Sequence, residues 1–203
     1  MIIGTKFEIL NIYHIYDGDL ESCKRLMPEK RKRQVDRLRF PDDRRRTVAG
    51  ELLARRMLAE RCRIMPESIV FGRTDIGKPF AVGLDVEFNI SHSGEYVICA
   101  VNDAPIGVDI EKIRPVKDRL IHRVCTDREL DYVLDGEMPL DEKTSRFFQV
   151  WTGKEAFFKC IGTGITDLKA VCVLDETIRY GMTYFLWGDY AVSIYRSDKP
   201  NAR

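Results

Sequence analysis

The chain has 203 residues, of which 44% are hydrophobic and 32% charged, and its formal net charge is +1. A chain of this length and make-up can bury a real core, and its near-zero charge argues against both a polybasic nucleic-acid binder and an acidic interaction tail. Nothing in the opening Met1-Ile2-Ile3-Gly4-Thr5-Lys6 or beyond it is long and apolar enough for a signal peptide or a membrane span, so no membrane partner is expected.

Phe7 to Ile15 alternates apolar and polar residues and predicts a strand. Met27-Pro28-Glu29 begins a basic helical stretch, with Pro at an early helical position. Pro41-Asp42-Asp43 is expected to interrupt it, and a second helix should follow from about Arg44 to Cys62, where Val48, Leu52, Leu53, Met57 and Leu58 recur at helical spacing. Pro66 closes that region. Ile69-Val70-Phe71 predicts a short strand and Gly77-Lys78-Pro79 a turn. Val86 to Ile90 and Tyr96 to Val101 predict two strands flanking a loop, Ser91-His92-Ser93-Gly94.

The second half echoes the first. Gly94-Glu95-Tyr96-Val97-Ile98 reappears as Gly188-Asp189-Tyr190-Ala191-Val192, and the helix through Gly50 to Cys62 has a counterpart through Phe147 to Cys160. Two diverged copies of a ~100-residue α+β unit would account for this, joined at the polar, Pro-containing Asn102-Asp103-Ala104-Pro105. Charge is uneven, with basic residues dominating Lys24 to Arg63. The six cysteines, Cys23, Cys62, Cys99, Cys125, Cys160 and Cys172, stand singly. They show neither zinc spacing nor a disulfide framework, which suits a reduced, cytoplasmic protein.

Four constellations carry chemistry. In Ile106-Gly107-Val108-Asp109-Ile110-Glu111 the strand period puts Asp109 and Glu111 on one face, with Val108 and Ile110 toward the core. Paired carboxylates repel each other unless a cation lies between them, and hard oxygen donors suit Mg²⁺ or Mn²⁺. The competing reading is a solvated strand edge with ordinary exposed acids. In Trp151-Thr152-Gly153-Lys154-Glu155-Ala156-Phe157-Phe158-Lys159, helical spacing stacks Trp151, Glu155 and Lys159 on one face, where a plain Glu155–Lys159 salt bridge would also explain the pattern. Gly153 in that helix disfavours it by about 1 kcal/mol against Ala. Phe88-Asn89-Ile90-Ser91-His92-Ser93-Gly94 offers hydroxyls, an imidazole and turn N–H groups to a phosphate, whereas a lone structural His is the plainer reading. No G-x-S-x-G elbow or Walker-type loop occurs, so neither the serine-hydrolase nor the P-loop template applies. The fourth is basic: Lys30, Arg33, Arg46 with Thr47, and Lys78, which Pro79 biases toward an extended backbone.

The ordered series Gly77-Lys78-Pro79, Phe88-Asn89-Ile90-Ser91-His92-Ser93, Gly107-Val108-Asp109-Ile110-Glu111 and Trp151-x-x-Lys154-Glu155-Ala156-x-x-Lys159 resembles the 4′-phosphopantetheinyl transferases of the larger single-chain class. The resemblance runs from Pro28-Glu29-Lys30-Arg31 to the final Gly188 strand. It implies an α+β fold built as a pseudo-twofold pair of similar α/β subdomains, here 1–102 and 103–197 with a tail at 198–203. It implies Mg²⁺ (Mn²⁺ possible) on Asp109, Glu111 and Glu155, with Glu155 and Lys159 in catalysis. Lys30, Arg33, Arg46, Thr47, Lys78, Pro79, Ser91 and His92 would bind coenzyme A. Arg44 or Arg45 is an alternative to Arg46, because the stretch from Arg33 is one residue longer than the family pattern.

The implied reaction moves 4′-phosphopantetheine from coenzyme A to a serine of an acyl, polyketide or peptidyl carrier protein, in a chain that works as a monomer. Phe147, Phe148, Val124 and Leu130 are candidates for a carrier-docking surface, with burial in the core as the alternative. Two other readings compete. A catalytically silent coenzyme A or carrier-binding module would bind its ligand indifferently to Mg²⁺, and a nucleic-acid binder using Lys24 to Arg63 would weaken steeply with salt.

Overall fold

Each half of the chain runs from a strand through a set of helices to a closing strand hairpin, giving the α+β fold that the sequence pattern predicts. The computed structural model describes residues 4–135, 139–164 and 167–197. The predicted tail at 198–203 lies outside them. The chain divides after Asp103 into two units.

The first unit comprises β1 (Lys6–Asn11), α1 (Asp17–Leu26), α2 (Glu29–Asp36), α3 (Pro41–Cys62), a small hairpin of β2 (Phe71–Arg73) and β3 (Pro79–Ala81), then β4 (Glu87–Ser93) and β5 (Tyr96–Asn102). The sheet order is β1-β5-β4, antiparallel throughout. Helix α3 lies on this sheet and against α1, burying Leu53, Leu58, Phe88, Val97 and Cys99 in one core. Pro41 opens α3 instead of interrupting the chain. At the first helical position its missing N–H satisfies no bond anyway, and Asp42 and Asp43 in the first turn complement the helix dipole. The helix therefore starts three residues before the expected Arg44.

The Ser91-His92-Ser93 segment is strand, not loop. It stays in register with β5 as Ser91↔Ile98, His92↔Val97 and Ser93↔Tyr96. Only Gly94 and Glu95 remain to turn the chain, and Gly94 has the positive φ of 53° that a two-residue hairpin turn accepts.

The second unit comprises β6 (Ile106–Lys112), α4 (Asp118–Val124), α5 (Asp127–Leu134), α6 (Leu140–Ile161), α7 (Glu176–Arg179), β7 (Met182–Trp187) and β8 (Tyr190–Arg196), with sheet order β6-β8-β7. In both units the first strand pairs with the last, which is a hairpin partner of the one before it, and each has a 22-residue helix. The correspondence reaches single bonds. Gly188 turns the second hairpin at φ 58° as Gly94 turns the first. Ile12 N–H donates to the Glu95 carbonyl at 2.8 Å, and Ile113 N–H donates to the Asp189 carbonyl at 2.8 Å.

Helix α6 packs on β6 and β8. Phe147, Phe148 and Val124 lie buried in this unit's core with Leu130 packed against them, so they do not form the exposed docking surface considered from the sequence. Gly107 explains how closely α6 approaches β6. A Cβ there would lie 1.9 Å from the Ala156 carbonyl oxygen and 2.5 Å from Cys160 N, so helix and strand backbones are in direct contact. Gly107→Ala is expected to lower stability by roughly 1–3 kcal/mol or more, read as a shift in the urea midpoint; an unmoved midpoint would show that β6 can slide away freely. Gly153 is different. A Cβ there would meet Val173 at 3.4 Å, an ordinary contact, and nothing in the structure explains the glycine.

Candidate active site

The contact at Gly107 brings the acidic strand β6 under the Glu155–Lys159 turn of α6. Strand β6 is buried as far as Ile110, and Asp109 is only 3% exposed, which sets aside the reading of Asp109 as a solvated edge acid. Lys159 reaches across from α6 and its Nζ donates to Asp109 Oδ1 at 2.5 Å. Glu155 is partly buried between the same groups. Burial first, and then the charge of Asp109, push its carboxyl up to about 7; Lys159 opposes the shift and Glu111 adds to it. At Glu155 the charges of two carboxylates thus oppose that of the Lys159 ammonium. Their donors are all hard oxygens, which fit a divalent cation such as Mg²⁺. Among the described residues, no three His, Cys, Asp or Glu side chains already stand at metal-ligating spacing.

The neighbouring Lys154 has another task. It is fully buried, and its ammonium donates to the carbonyls of Leu168 and Val171, each at 2.6 Å, and pairs with Glu129 Oε2 at 2.7 Å. Glu129 in turn closes the capping box of α5 with Thr126 and accepts from Val173 N–H at 2.8 Å. All three ammonium protons have acceptors, so this buried charge pair meets the condition under which such a pair is tolerated. Thr152 Oγ1 lies 2.7 Å from Ser193 Oγ and ties α6 to β8, where Ser193 sits opposite Asp109 in the ladder.

The predicted coenzyme A residues gather mainly around a cavity of about 410 Å³ within the first unit. Lys30, Arg46, Thr47, Pro79 and His92 line it, whereas Arg33, Lys78 and Ser91 are not among its lining residues. On α2, at about 100° per residue, Lys30, Gln34 and Arg31 share one arc and Arg33 falls outside it. Ser91 is buried in β4. Phe71, Phe88 and Ile90 give the cavity an apolar wall, and the Phe71 and Phe88 rings pack at a tilt with their centroids 5.2 Å apart.

The three arginines weighed from the sequence have different surroundings. Arg45 is committed to the carbonyls of Ile12 at 2.6 Å and Ile15 at 2.5 Å and to Asp17, and Arg44 donates to the Leu38 carbonyl at 2.7 Å. Arg46 alone of the three lines the cavity, steadied by Asp43 and by the Gly94 carbonyl at 2.6 Å. Arg31 and Arg73 also line it. The reading from sequence did not place either at the cavity, because Arg31 looks like one of four consecutive cations and Arg73 stands in no motif.

Residues 105–198 match the model of the 4′-phosphopantetheinyl transferase superfamily, and residues 16–104 match that of the 4′-phosphopantetheinyl transferase N-terminal region. Curated relatives agree. The chain is 36% identical over 148 residues to 4′-phosphopantetheinyl transferase psf-1 of Bacillus pumilus, covering 72% of this chain and 63% of that protein. It is 38% identical over 120 residues to 4′-phosphopantetheinyl transferase gsp of Aneurinibacillus migulanus, covering 59% of this chain and 49% of that one. With 4′-phosphopantetheinyl transferase Sfp of Bacillus subtilis (strain 168) it shares 36% identity over 165 residues, covering 77% of this chain and 72% of Sfp. The matches thus span less than two thirds of the first two relatives.

Proposed function

The chain belongs to the 4′-phosphopantetheinyl transferase superfamily, and from that premise we propose that it transfers the 4′-phosphopantetheine arm of coenzyme A to a serine of an apo carrier protein, releasing 3′,5′-ADP. The observation that carries the reading is the Asp109–Glu111–Glu155 carboxylate group with Lys159 held against it. Support for the substrate comes from the cavity in the first unit, whose cationic rim and aromatic wall suit a phosphorylated nucleotide.

In the reaction, the carrier serine Oγ forms a bond to the β-phosphorus of coenzyme A, and the bond from that phosphorus to the bridging oxygen breaks, leaving 3′,5′-ADP. A serine hydroxyl needs a base. Glu155 takes that proton; its carboxyl, raised to about 7 in the metal-free protein by burial and the charge of Asp109, is the acid–base group of the site. Lys159 holds Asp109 in place and adds positive charge beside the phosphate oxygens. Asp109, Glu111 and Glu155 would hold Mg²⁺, or Mn²⁺, which would supply positive charge to neutralise the diphosphate. On the coenzyme A side, family likeness and a place at the cavity both support Lys30, Arg46, Thr47, Pro79 and His92, and likeness alone supports Arg33, Lys78 and Ser91.

The partner is an acyl, polyketide or peptidyl carrier domain, and the setting a reduced cytoplasm, since none of the six cysteines is in a disulfide. No helix among the described residues is long and apolar enough to cross a membrane. Incubation with apo carrier proteins, coenzyme A and Mg²⁺ is expected to give carrier heavier by one phosphopantetheine in intact-mass spectra. No mass gain across fatty-acid, polyketide and peptide carriers would refute the reading.

A further inference from the structure

Each unit holds a cavity in the same place, between its 22-residue helix, the shorter helix before it and an edge strand of its sheet. In the first unit those elements are α3, α2 and β4, and in the second they are α6, α5 and β7. The transferase reading occupies the first cavity and gives no task to the second, of about 320 Å³. That volume is within the range of small-molecule pockets, and the lining is chemically distinct. Two arginines, Arg128 and Arg179, line it, and among the described residues no carboxylate does. Arg128 is held by Asp175 at 2.9 Å. Arg179 is exposed, and its guanidinium makes no ion pair or hydrogen bond among the described residues.

Val173, Leu174 and Met182 give this cavity hydrocarbon walls. Tyr184 also lines it, and its hydroxyl is buried without a hydrogen bond among the described residues, Ser145 beside it standing outside bonding geometry. A buried hydroxyl left this way is unfavourable unless a bound group supplies its partner. Gly153 leaves the space open. A Cβ there would lie 3.4–3.6 Å from Val173, and both residues line the cavity, so a longer side chain at 153 would occupy it. One unpaired guanidinium offers about one positive charge, and its fork of N–H donors matches a carboxylate. A phosphate monoester brings nearly two charges and would need both arginines, of which Arg128 is already shared with Asp175.

We propose that the cavity of the second unit binds a small organic carboxylate with an apolar body, its carboxylate on Arg179 and its body against Val173 and Met182. This is a second binding site, separate from the transfer of phosphopantetheine, in which neither Arg179 nor Gly153 takes part. The two residues contribute different things. Arg179 selects for charge, and Gly153 provides the volume. Arg179 is exposed, so its replacement leaves the core of the unit intact.

The test is titration calorimetry of the full chain with phenylacetate and with phenylacetamide, which keeps the shape and loses the charge. The wild-type protein is expected to bind phenylacetate roughly 10-fold more tightly than the amide, at the lower end of what charge-assisted hydrogen bonds contribute. Arg179→Gln is expected to erase that preference by weakening phenylacetate alone, and Arg179→Lys to restore part of it. Gly153→Leu is expected to weaken both probes by the same factor, with its melting curve reporting that the unit is folded. Arg46→Gln, at the cavity of the first unit, should change neither. A wild-type protein that binds neither probe, or binds both equally, overturns the proposal. So does a phenylacetate affinity that survives Arg179→Gln, or one that is lost with Arg46→Gln, since the probe would then sit in the first cavity. None of these outcomes bears on the transferase reading, which the carrier-modification assay tests separately.

Discussion

Glu155→Gln is expected to lower carrier modification by roughly 100-fold or more while raising the melting temperature of the metal-free protein at pH 8. Both effects come from one arrangement. Glu155 shares its surroundings with Asp109 and Glu111, and burial together with their charge raises its carboxyl from an ordinary 4.5 to about 7 despite Lys159. A folded-state value above the unfolded one means that the fold favours the protonated form. The stabilisation from that proton is fully present below about pH 4.5 and is lost as pH rises through about 7. At pH 8 the parent carries the whole penalty of a buried, repelled carboxylate, whereas Gln cannot ionise and carries none. The two proteins should melt alike near pH 4.5 and diverge between there and pH 8, with the variant higher. Mg²⁺ is expected to raise the parent's melting temperature more than the variant's. Equal melting of the two at pH 8 would show that these carboxylates do not burden the fold, and near-normal activity of Glu155→Gln would remove it from the mechanism.

Lys154→Met is expected to destabilise the protein by about 3–5 kcal/mol, enough to unfold a domain of ordinary stability at working temperature. The side chain is wholly buried, and removing its ammonium leaves the carbonyls of Leu168 and Val171 without their donor and Glu129 as an uncompensated buried charge. Glu129 also organises the start of α5 and the Val173 amide, so loss of its counter-charge loosens three segments together. Urea unfolding of the two proteins measures this directly. The double variant Lys154→Met/Glu129→Leu should recover part of the loss, because the orphaned carboxylate goes with the ammonium. If Lys154→Met unfolds at the parent's midpoint, the pair contributes nothing to the fold. The contrast with Glu155 lies in burial: the two adjacent residues point about 100° apart on α6, the one wholly buried and the other partly, and one holds the unit together while its neighbour weakens it at neutral pH.

Much of the architecture was legible in the chain. The two Gly-acid-Tyr segments proved to be equivalent hairpin turns, because a two-residue turn needs a positive φ that glycine adopts without strain. The expected loop at Ser91-His92-Ser93 failed for a related reason. Polar residues suggested a loop, but pairing with the strongly apolar β5 holds them in the ladder, and tertiary context overrides the preference of single residues. Pro41 misled similarly, since proline ends a helix from within yet starts one at its first turn. Helices α1, α4 and α5 are short and drew no prediction.

The sequence by itself determined the chemistry available to this protein. The order of its motifs names a family, and residue type alone decides that Asp109, Glu111 and Glu155 offer oxygen donors and that α2 is basic. Only the tertiary structure decided what each charge does. Whether a carboxylate is a surface ornament or a perturbed acid depends on burial and on which charges lie within a few ångströms, and those neighbours come from residues far along the chain. Asp109 meets Lys159 because Gly107 lets two backbones touch. Lys154 goes inward because three acceptors wait there, and Arg31 and Arg73 line one cavity because the β2–β3 hairpin brings Arg73 to it.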